Sequence, residues 1–193
     1  MHPVSRFALP RLEELPTDIR TRIEAVHEKA GFIPNIFLVL ARRPDEFRAF
    51  FAYHDALMDK PGPLTKAERE LIVVATSATN DCLYCVIAHG AVLRIRAKDA
   101  QIADQVATNF RTAHLNPRER AMLDFATRLA RDPGNTGEAE IAALRAAGFD
   151  DEAIWDIGAI TSFFALSNRM ATLTELRPND EFYGMGRQPI DQP

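Results

Sequence analysis

The chain has only two cysteines, Cys82 and Cys85, and they stand three positions apart. It has no strong excess of one charge: the formal net charge is -4. No basic block dense enough for nucleic acid or an anionic membrane is present, so neither is an expected partner. Long apolar runs are missing too. The longest, Ile36 to Ala41, is far too short to cross a bilayer. The start, Met1 to Arg6, lacks the apolar stretch of a signal peptide, and a cytoplasmic location is the expectation. In that compartment a C-x2-C pair reads as redox or metal chemistry rather than as a structural staple. Strand signals are also absent: β-branched residues are scattered, and no alternating run is bounded by hairpin turns. The expected class is therefore all-α. With 47% apolar residues in 193, the chain has enough for a sizeable core in one domain.

The informative stretch runs from Glu70 to His89 and contains both cysteines. Thr65-Lys66-Ala67-Glu68 reads as a capping box that opens a helix through Glu70 and the apolar run Leu71 to Ala75. If that helix continued unbroken, Cys82 would lie about 18 Å beyond Glu70 at 1.5 Å per residue. Asn80-Asp81 supplies a break, because both side chains favour caps and turns. A second helix is expected to start with Asn80 or Asp81 as N-cap and to run past His89. In such an antiparallel hairpin Glu70 sits roughly 15 Å before the turn and His89 roughly 13 Å after it, at matching heights.

On the second helix Cys82 and Cys85 are i, i+3, and Cys85 and His89 are i, i+4, so all three share a face. His89 can take a proton from Cys85, and Glu70 can orient His89 and stabilise its charged form. Cys82, nearer the helix tip, is favoured as a thiolate by the free amides and the dipole. The two arguments pull apart: proximity to His89 favours Cys85 as the attacking thiol, and the dipole favours Cys82 as the more ionised one. A disulfide between i, i+3 cysteines is feasible near a helix start.

The pattern E-x11-C-x2-C-x3-H, formed by Glu70, Cys82, Cys85 and His89, resembles the AhpD-like alkylhydroperoxidase and carboxymuconolactone decarboxylase superfamily. Gly31-Phe32-Ile33-Pro34-Asn35 and Asn168-Arg169 are similar to its peroxidase-related branch, so the likeness spans roughly Gly31 to Arg169. The resemblance implies an AhpD-like helical fold and a thiol peroxidase acting on hydrogen or organic peroxides. In it the second cysteine, Cys85, attacks the peroxide, the first, Cys82, resolves it as a disulfide, and Glu70 and His89 relay protons. It also implies a thiol reductant (a lipoyl protein, a thioredoxin-like protein or a low-molecular-weight thiol), a homo-oligomer, and no cofactor or metal. Well-studied members carry a histidine just before the second cysteine, where this chain has Tyr84.

The rest of the chain reads as scaffold. Residues 1–30 form a Pro-rich arm and a helix, 31–115 the half that carries the C-x2-C, 116–176 a second helical half, and 177–193 an irregular tail. Leu64 to Thr76 aligns with Leu115 to Thr127, with Leu, Glu, Arg, Ala and Thr coinciding, which suggests a duplicated helical unit. Ala121 stands where the first copy has Glu70, and no cysteine follows it. His54 is read as a packed or solvated side chain on an amphipathic helix. Trp155, Phe163 and Phe164 are read as core, subunit interface or pocket wall, and Asn168 and Arg169 are assigned no chemistry. Other activities on this scaffold are a thiol-disulfide oxidoreductase or a carboxymuconolactone decarboxylase-like enzyme. A non-catalytic assembly protein is a further reading. A zinc module built on Cys82, Cys85, His89 and Glu70 fits less well, because i, i+3 thiols on a regular helix close a tetrahedron poorly.

Overall fold

A computed structural model describes residues 3–187. Ten α-helices follow one another, and among the described residues there is no strand. They are α1 (Thr17–Ala30), α2 (Asn35–Leu40), α3 (Pro44–Met58), α4 (Lys66–Thr79), α5 (Leu83–Ala97), α6 (Ile102–Asn109), α7 (Pro117–Arg131), α8 (Glu138–Ala146), α9 (Asp151–Leu173) and α10 (Glu181–Gly184). Among the described residues no helix is long and apolar enough to cross a membrane.

Helix α4 is the axis of the fold. An apolar run as continuous as Leu71 to Ala75 leaves a helix no solvent face, so it must be enclosed on all sides. Every residue from Glu68 to Ser77 is buried, and α5, α6, α7 and α9 pack around the helix. Its start follows the expected capping box: Thr65 Oγ1 accepts from the Glu68 amide at 3.1 Å, and the Thr65 amide donates to Glu68 Oε2 at 2.8 Å. Helix α7 opens the same way on Asn116 and Glu119, with Pro117 at its first position, where a missing N–H costs nothing.

The sequence echo between α4 and α7 has structural content. Arg69 donates to the carbonyls of Met58 and Lys60, at 3.1 and 2.7 Å. Its counterpart Arg120 donates to the carbonyls of Phe110, Arg111, Ala113 and Leu115. Each arginine thus fastens the segment that leads into its own helix. Thr76 and Thr127 return their hydroxyls to Ile72 and Leu123, both at 2.7 Å.

Three apolar clusters build the interior. The largest joins α4 to α7 and α9 through Ile72, Leu123, Ile157 and Phe164. A second, on α1 to α3, holds Ile19, Ile23, Phe47 and Phe51. A third encloses both cysteines together with Tyr84, Ala88, Leu176 and Phe182.

Several expectations are corrected. The sequence predicts a helix over Lys98 to Thr108, but Lys98 takes a left-handed conformation (φ 54) and ends α5, so the next helix starts at Ile102. The stretch after Arg177 is not wholly irregular. It contains α10, too short to show a periodic pattern, which buries Phe182 and lends the carbonyls of Phe182 and Met185 to Arg94, each at 2.8 Å. The expected tail's last residues, 188–193, lie outside the described residues. Of the Pro-rich arm, residues 4–6 lie on the chain's own body: Ser5 Oγ and the Arg6 amide donate to the Thr174 carbonyl, at 2.8 and 3.0 Å. Trp155 is no core residue, being 74% exposed, whereas Phe163 and Phe164 are buried.

Candidate active site

The hairpin between α4 and α5 creates the site. The expected break occurs, but Asn80 ends α4 and neither Asn80 nor Asp81 caps α5. Asp81 adopts a left-handed conformation (φ 52), one that Asp tolerates better than most residues. This single residue reverses the chain and leaves Cys82 as the N-cap of α5, in an extended conformation. The Cys82 amide closes the turn on the Ser77 carbonyl at 2.9 Å.

Across the hairpin, His89 Nδ1 and Glu70 Oε2 lie 2.8 Å apart. Both side chains are largely enclosed, and the ring of Phe164 stands edge-on to that of His89 at 4.7 Å. Losing one partner would leave the other under-satisfied in a low-dielectric place, which makes the pair mutually dependent.

Both thiols are free and buried, Cys82 at 2% and Cys85 at 1% exposure. They differ in what they face. Cys85 lines a cavity of about 310 Å³, shared with His89, Tyr84, Ser167 and the rings of Phe37, Phe51 and Phe164. This cavity lies where the three apolar clusters meet. Cys82 lines a different hollow of about 230 Å³, with Asp81, Leu83, Glu175 and Arg177.

The thiols also differ in acidity. Cys82 is drawn down to about 7, chiefly because the Cys85 thiol donates to its sulfur, with Asn168 adding a smaller pull against the effect of burial. Cys85 is pushed well above 9, by the same contact seen from its side and by its own burial. Of the two thiols Cys82 is therefore the one that gives up its proton first as pH rises. Among the described residues no hydrogen bond joins Cys85 directly to His89; its sulfur lies 3.8 Å from Ser167 Oγ. Tyr84 has no part in proton chemistry near neutral pH. Burial pushes its phenol far up, and its oxygen receives the Ile36 amide at 3.4 Å.

Three residues absent from the sequence motif surround the thiols. Asn168 is buried; its Nδ2 donates to Ser77 Oγ and its Oδ1 receives Asn80 Nδ2, both at 2.9 Å. It ties α9 to both sides of the hairpin turn. Ser167 lies beside Cys85. His54, on α3, lines the Cys85 cavity. Only the Asn168-Arg169 pair carried any signal in sequence. Arg169 points away, donating to the Ala165 carbonyl at its own surface. Among the described residues no three His, Cys, Asp or Glu side chains are grouped to hold a metal ion.

Comparison with known proteins agrees with this geometry. Residues 44–128 match the model of the carboxymuconolactone decarboxylase family. A crystal structure of an uncharacterized peroxidase-related protein from Ralstonia eutropha JMP134, described as an alkylhydroperoxidase AhpD core, is 62% identical, covers 98% of this chain and 100% of its own, and superposes with a TM-score of 0.96. The chain belongs to the AhpD-like carboxymuconolactone decarboxylase superfamily. An uncharacterized peroxidase-related protein from Silicibacter sp. TM1040 is 38% identical over 96% of this chain and 97% of its own, with a TM-score of 0.92. The fold of this AhpD-like chain extends further, to the debrominase Bmp8. A cysteine-to-alanine variant of Bmp8 in complex with 2,3,4-tribromopyrrole is 19% identical, over 92% of this chain and 95% of its own, with a TM-score of 0.78. Among curated proteins nothing matches the chain.

Proposed function

We propose that the protein is a thiol-dependent peroxidase that reduces hydrogen or organic peroxides through the Cys82–Cys85 pair. The observation that carries the reading is the arrangement of the two thiols. Cys85 opens into a cavity also lined by His89, whose Nδ1 is held by Glu70, while Cys82 opens into a separate hollow. His89 takes the Cys85 proton as the peroxide binds. The Cys85 sulfur attacks the terminal peroxide oxygen, an S–O bond forms and the O–O bond breaks. The leaving alkoxide, or hydroxide, takes the proton held by His89, and Glu70 stabilises the imidazolium between these transfers. Cys85 is then a sulfenic acid. The Cys82 thiolate attacks its sulfur, the S–O bond breaks, hydroxide leaves and takes a proton from solvent to become water, and a disulfide remains. An external thiol donor attacks the Cys82 sulfur of the disulfide and Cys85 leaves; a second donor thiol then attacks the mixed disulfide and releases Cys82, a good leaving group because its thiolate is stabilised. Lipoyl proteins, thioredoxin-like proteins and low-molecular-weight thiols all have this chemistry. No step calls for a metal or a cofactor.

Single-turnover peroxide consumption tests the reading. Cys82→Ser is expected to react once and to stop at a sulfenic acid on Cys85, trapped by a dimedone-type probe. Cys85→Ser is expected not to consume peroxide at a comparable rate. A fast Cys85→Ser with the probe on Cys82 would reverse the roles. A parent inert to peroxide that still exchanges disulfides with a dithiol would make the protein a thiol-disulfide oxidoreductase.

A further inference from the structure

The cavity over Cys85 holds a second histidine that the proposed chemistry does not use. His54 comes from α3, outside the C-x2-C half's hairpin, yet lines the same cavity as Cys85 and His89. Its ring is held on several sides. Phe51, Phe163 and Phe164 stand around it at centroid distances of 6.3, 6.1 and 6.5 Å. Its Nδ1 lies 3.2 Å from Asp55 Oδ1. Asp55 is in turn held by Arg22 from α1, which reaches both carboxylate oxygens at 2.9 Å. A ring nitrogen that faces a carboxylate carries the hydrogen, so the other nitrogen, Nε2, is left with its lone pair. Among the described residues Nε2 has no hydrogen-bond partner. The Arg22–Asp55–His54 chain therefore fixes an acceptor on a residue that lines the cavity, whose wall combines aromatic and aliphatic side chains with Arg22, Asp55, Asp59 and Ser167.

We propose that His54 is a second substrate-contacting residue, whose Nε2 accepts the O–H of an organic hydroperoxide bound in the cavity over Cys85. The proposal rests on the peroxidase reading and adds to it. In a hydroperoxide ROOH the oxygen that carries the proton is also the one a thiolate attacks. Holding that O–H on His54 fixes the terminal oxygen, while R lies against Phe37, Phe51 and Phe164. The proton does not move in this step: it stays on the oxygen that becomes the sulfenic acid of Cys85, and the leaving RO⁻ takes its proton from His89. Two histidines thus have separate tasks, one moving a proton and one holding a proton in place. Burial, with the charge of His89 second, pushes His54 below its ordinary 6.5, which keeps its ring a neutral acceptor near neutral pH. A cavity of about 310 Å³ has far more room than hydrogen peroxide needs, so the anchoring matters for a substrate with an apolar R group.

The test compares His54→Leu and His54→Gln with the parent. The glutamine keeps an acceptor of similar reach and the leucine removes it. Cumene hydroperoxide is the reactive probe, and cumyl alcohol, which has the same R group and an O–H but no O–O bond, is the inert one. For His54→Leu the single-turnover saturation constant for cumene hydroperoxide is expected to rise about tenfold, the loss of one hydrogen bond. Cumyl alcohol affinity should fall by a similar factor. His54→Gln should stay within about threefold of the parent, and all three proteins should alkylate at Cys85 with the same pH profile. Parent-like saturation and alcohol binding in His54→Leu would overturn the proposal. So would a shifted alkylation profile, since His54 would then act on the thiol rather than on the substrate. Binding of the alcohol involves no peroxide chemistry. If the parent binds it through His54 but consumes no hydroperoxide, the peroxidase reading fails while the assigned contact stands.

Discussion

Glu70 Oε2 and His89 Nδ1 meet at 2.8 Å although 19 positions separate them in the chain. The contact exists because a single left-handed residue, Asp81, folds α5 back along α4. Neither helix alone could bring a carboxylate to this imidazole at that separation. The carboxylate sits against the imidazole, and that ring lines the same cavity as the Cys85 thiol.

That geometry sets the effect of substitutions in the pair. His89→Ala is expected to slow single-turnover peroxide consumption by roughly a hundredfold or more, the usual loss of a general base. Glu70→Gln keeps the shape and removes the charge, and should slow it less if the carboxylate mainly orients the ring. Stopped-flow measurement of both variants checks the order. Equal losses would show that the negative charge of Glu70 is itself needed in the step.

The thiols are expected to titrate unequally. In the reduced protein a single thiolate should appear near pH 7 by ultraviolet absorbance, and peptide mapping after alkylation should place it on Cys82. In Cys82→Ser the largest influence holding Cys85 up is removed, so Cys85 should ionise at lower pH than in the parent, though burial still raises it. The same shifts act on stability. Cys82, depressed on folding, adds stability that is fully present above about 9 and is lost as pH falls through about 7. Cys85, raised on folding, works the other way, and its contribution is lost as pH rises beyond 9. The melting temperature of the reduced form, measured against the disulfide form, should therefore climb from pH 7 to 9 and fall beyond it.

Asn168 is expected to matter without touching substrate. Its amide joins Ser77 before the turn to Asn80 at the turn, and it draws the Cys82 thiol down. Asn168→Ala should move the Cys82 titration upward and slow disulfide formation after peroxide attack, while leaving the first oxidation of Cys85 largely intact. Rapid-quench trapping of the sulfenic acid would show it living longer. An unchanged lifetime and titration would reduce Asn168 to a packing residue.

The outer face of α9 should be covered by a second copy of the chain. Trp155, Leu166 and Leu173 are 74%, 52% and 53% exposed and fall along one side of that helix. Light scattering at micromolar concentration is expected to show a homo-oligomer, and Leu166→Glu should shift it toward monomer. A parent that is monomeric under those conditions would sink this expectation.

How much of this was legible in the sequence follows from the range of the interactions. The helix starts at Thr65 and Asn116, the break after Thr79 and the grouping of Glu70, Cys82, Cys85 and His89 depend on residues close in sequence. Capping, turn preference and helical spacing act over a few positions, so the letters themselves carry them. The continuous apolar run from Leu71 to Ala75 likewise implied an enclosed helix. The N-cap of α5 was placed one or two residues too early, because Asp81 spends its conformational freedom on a left-handed turn instead of on capping. The short helix at Glu181–Gly184 was missed because four residues carry no periodicity and its burial comes from Arg94 on a distant helix.

The tertiary structure alone decided which distant side chains surround the thiols. His54, Ser167 and Asn168 reach the site from α3 and α9; nothing in the neighbourhoods of His54 and Ser167 marks them, and the Asn168-Arg169 pair gave a resemblance without a role. It also decided that Cys82 and Cys85 face different hollows, and that Cys82 is the more acidic of the two. Those outcomes depend on burial and on the packing of α3, α5 and α9 against one another, which no local spacing encodes. By itself the sequence determined the helical class, the hairpin and the grouping of Glu70, Cys82, Cys85 and His89. Their environment, down to the separate hollows that the two adjacent thiols face, came from the packed three-dimensional arrangement.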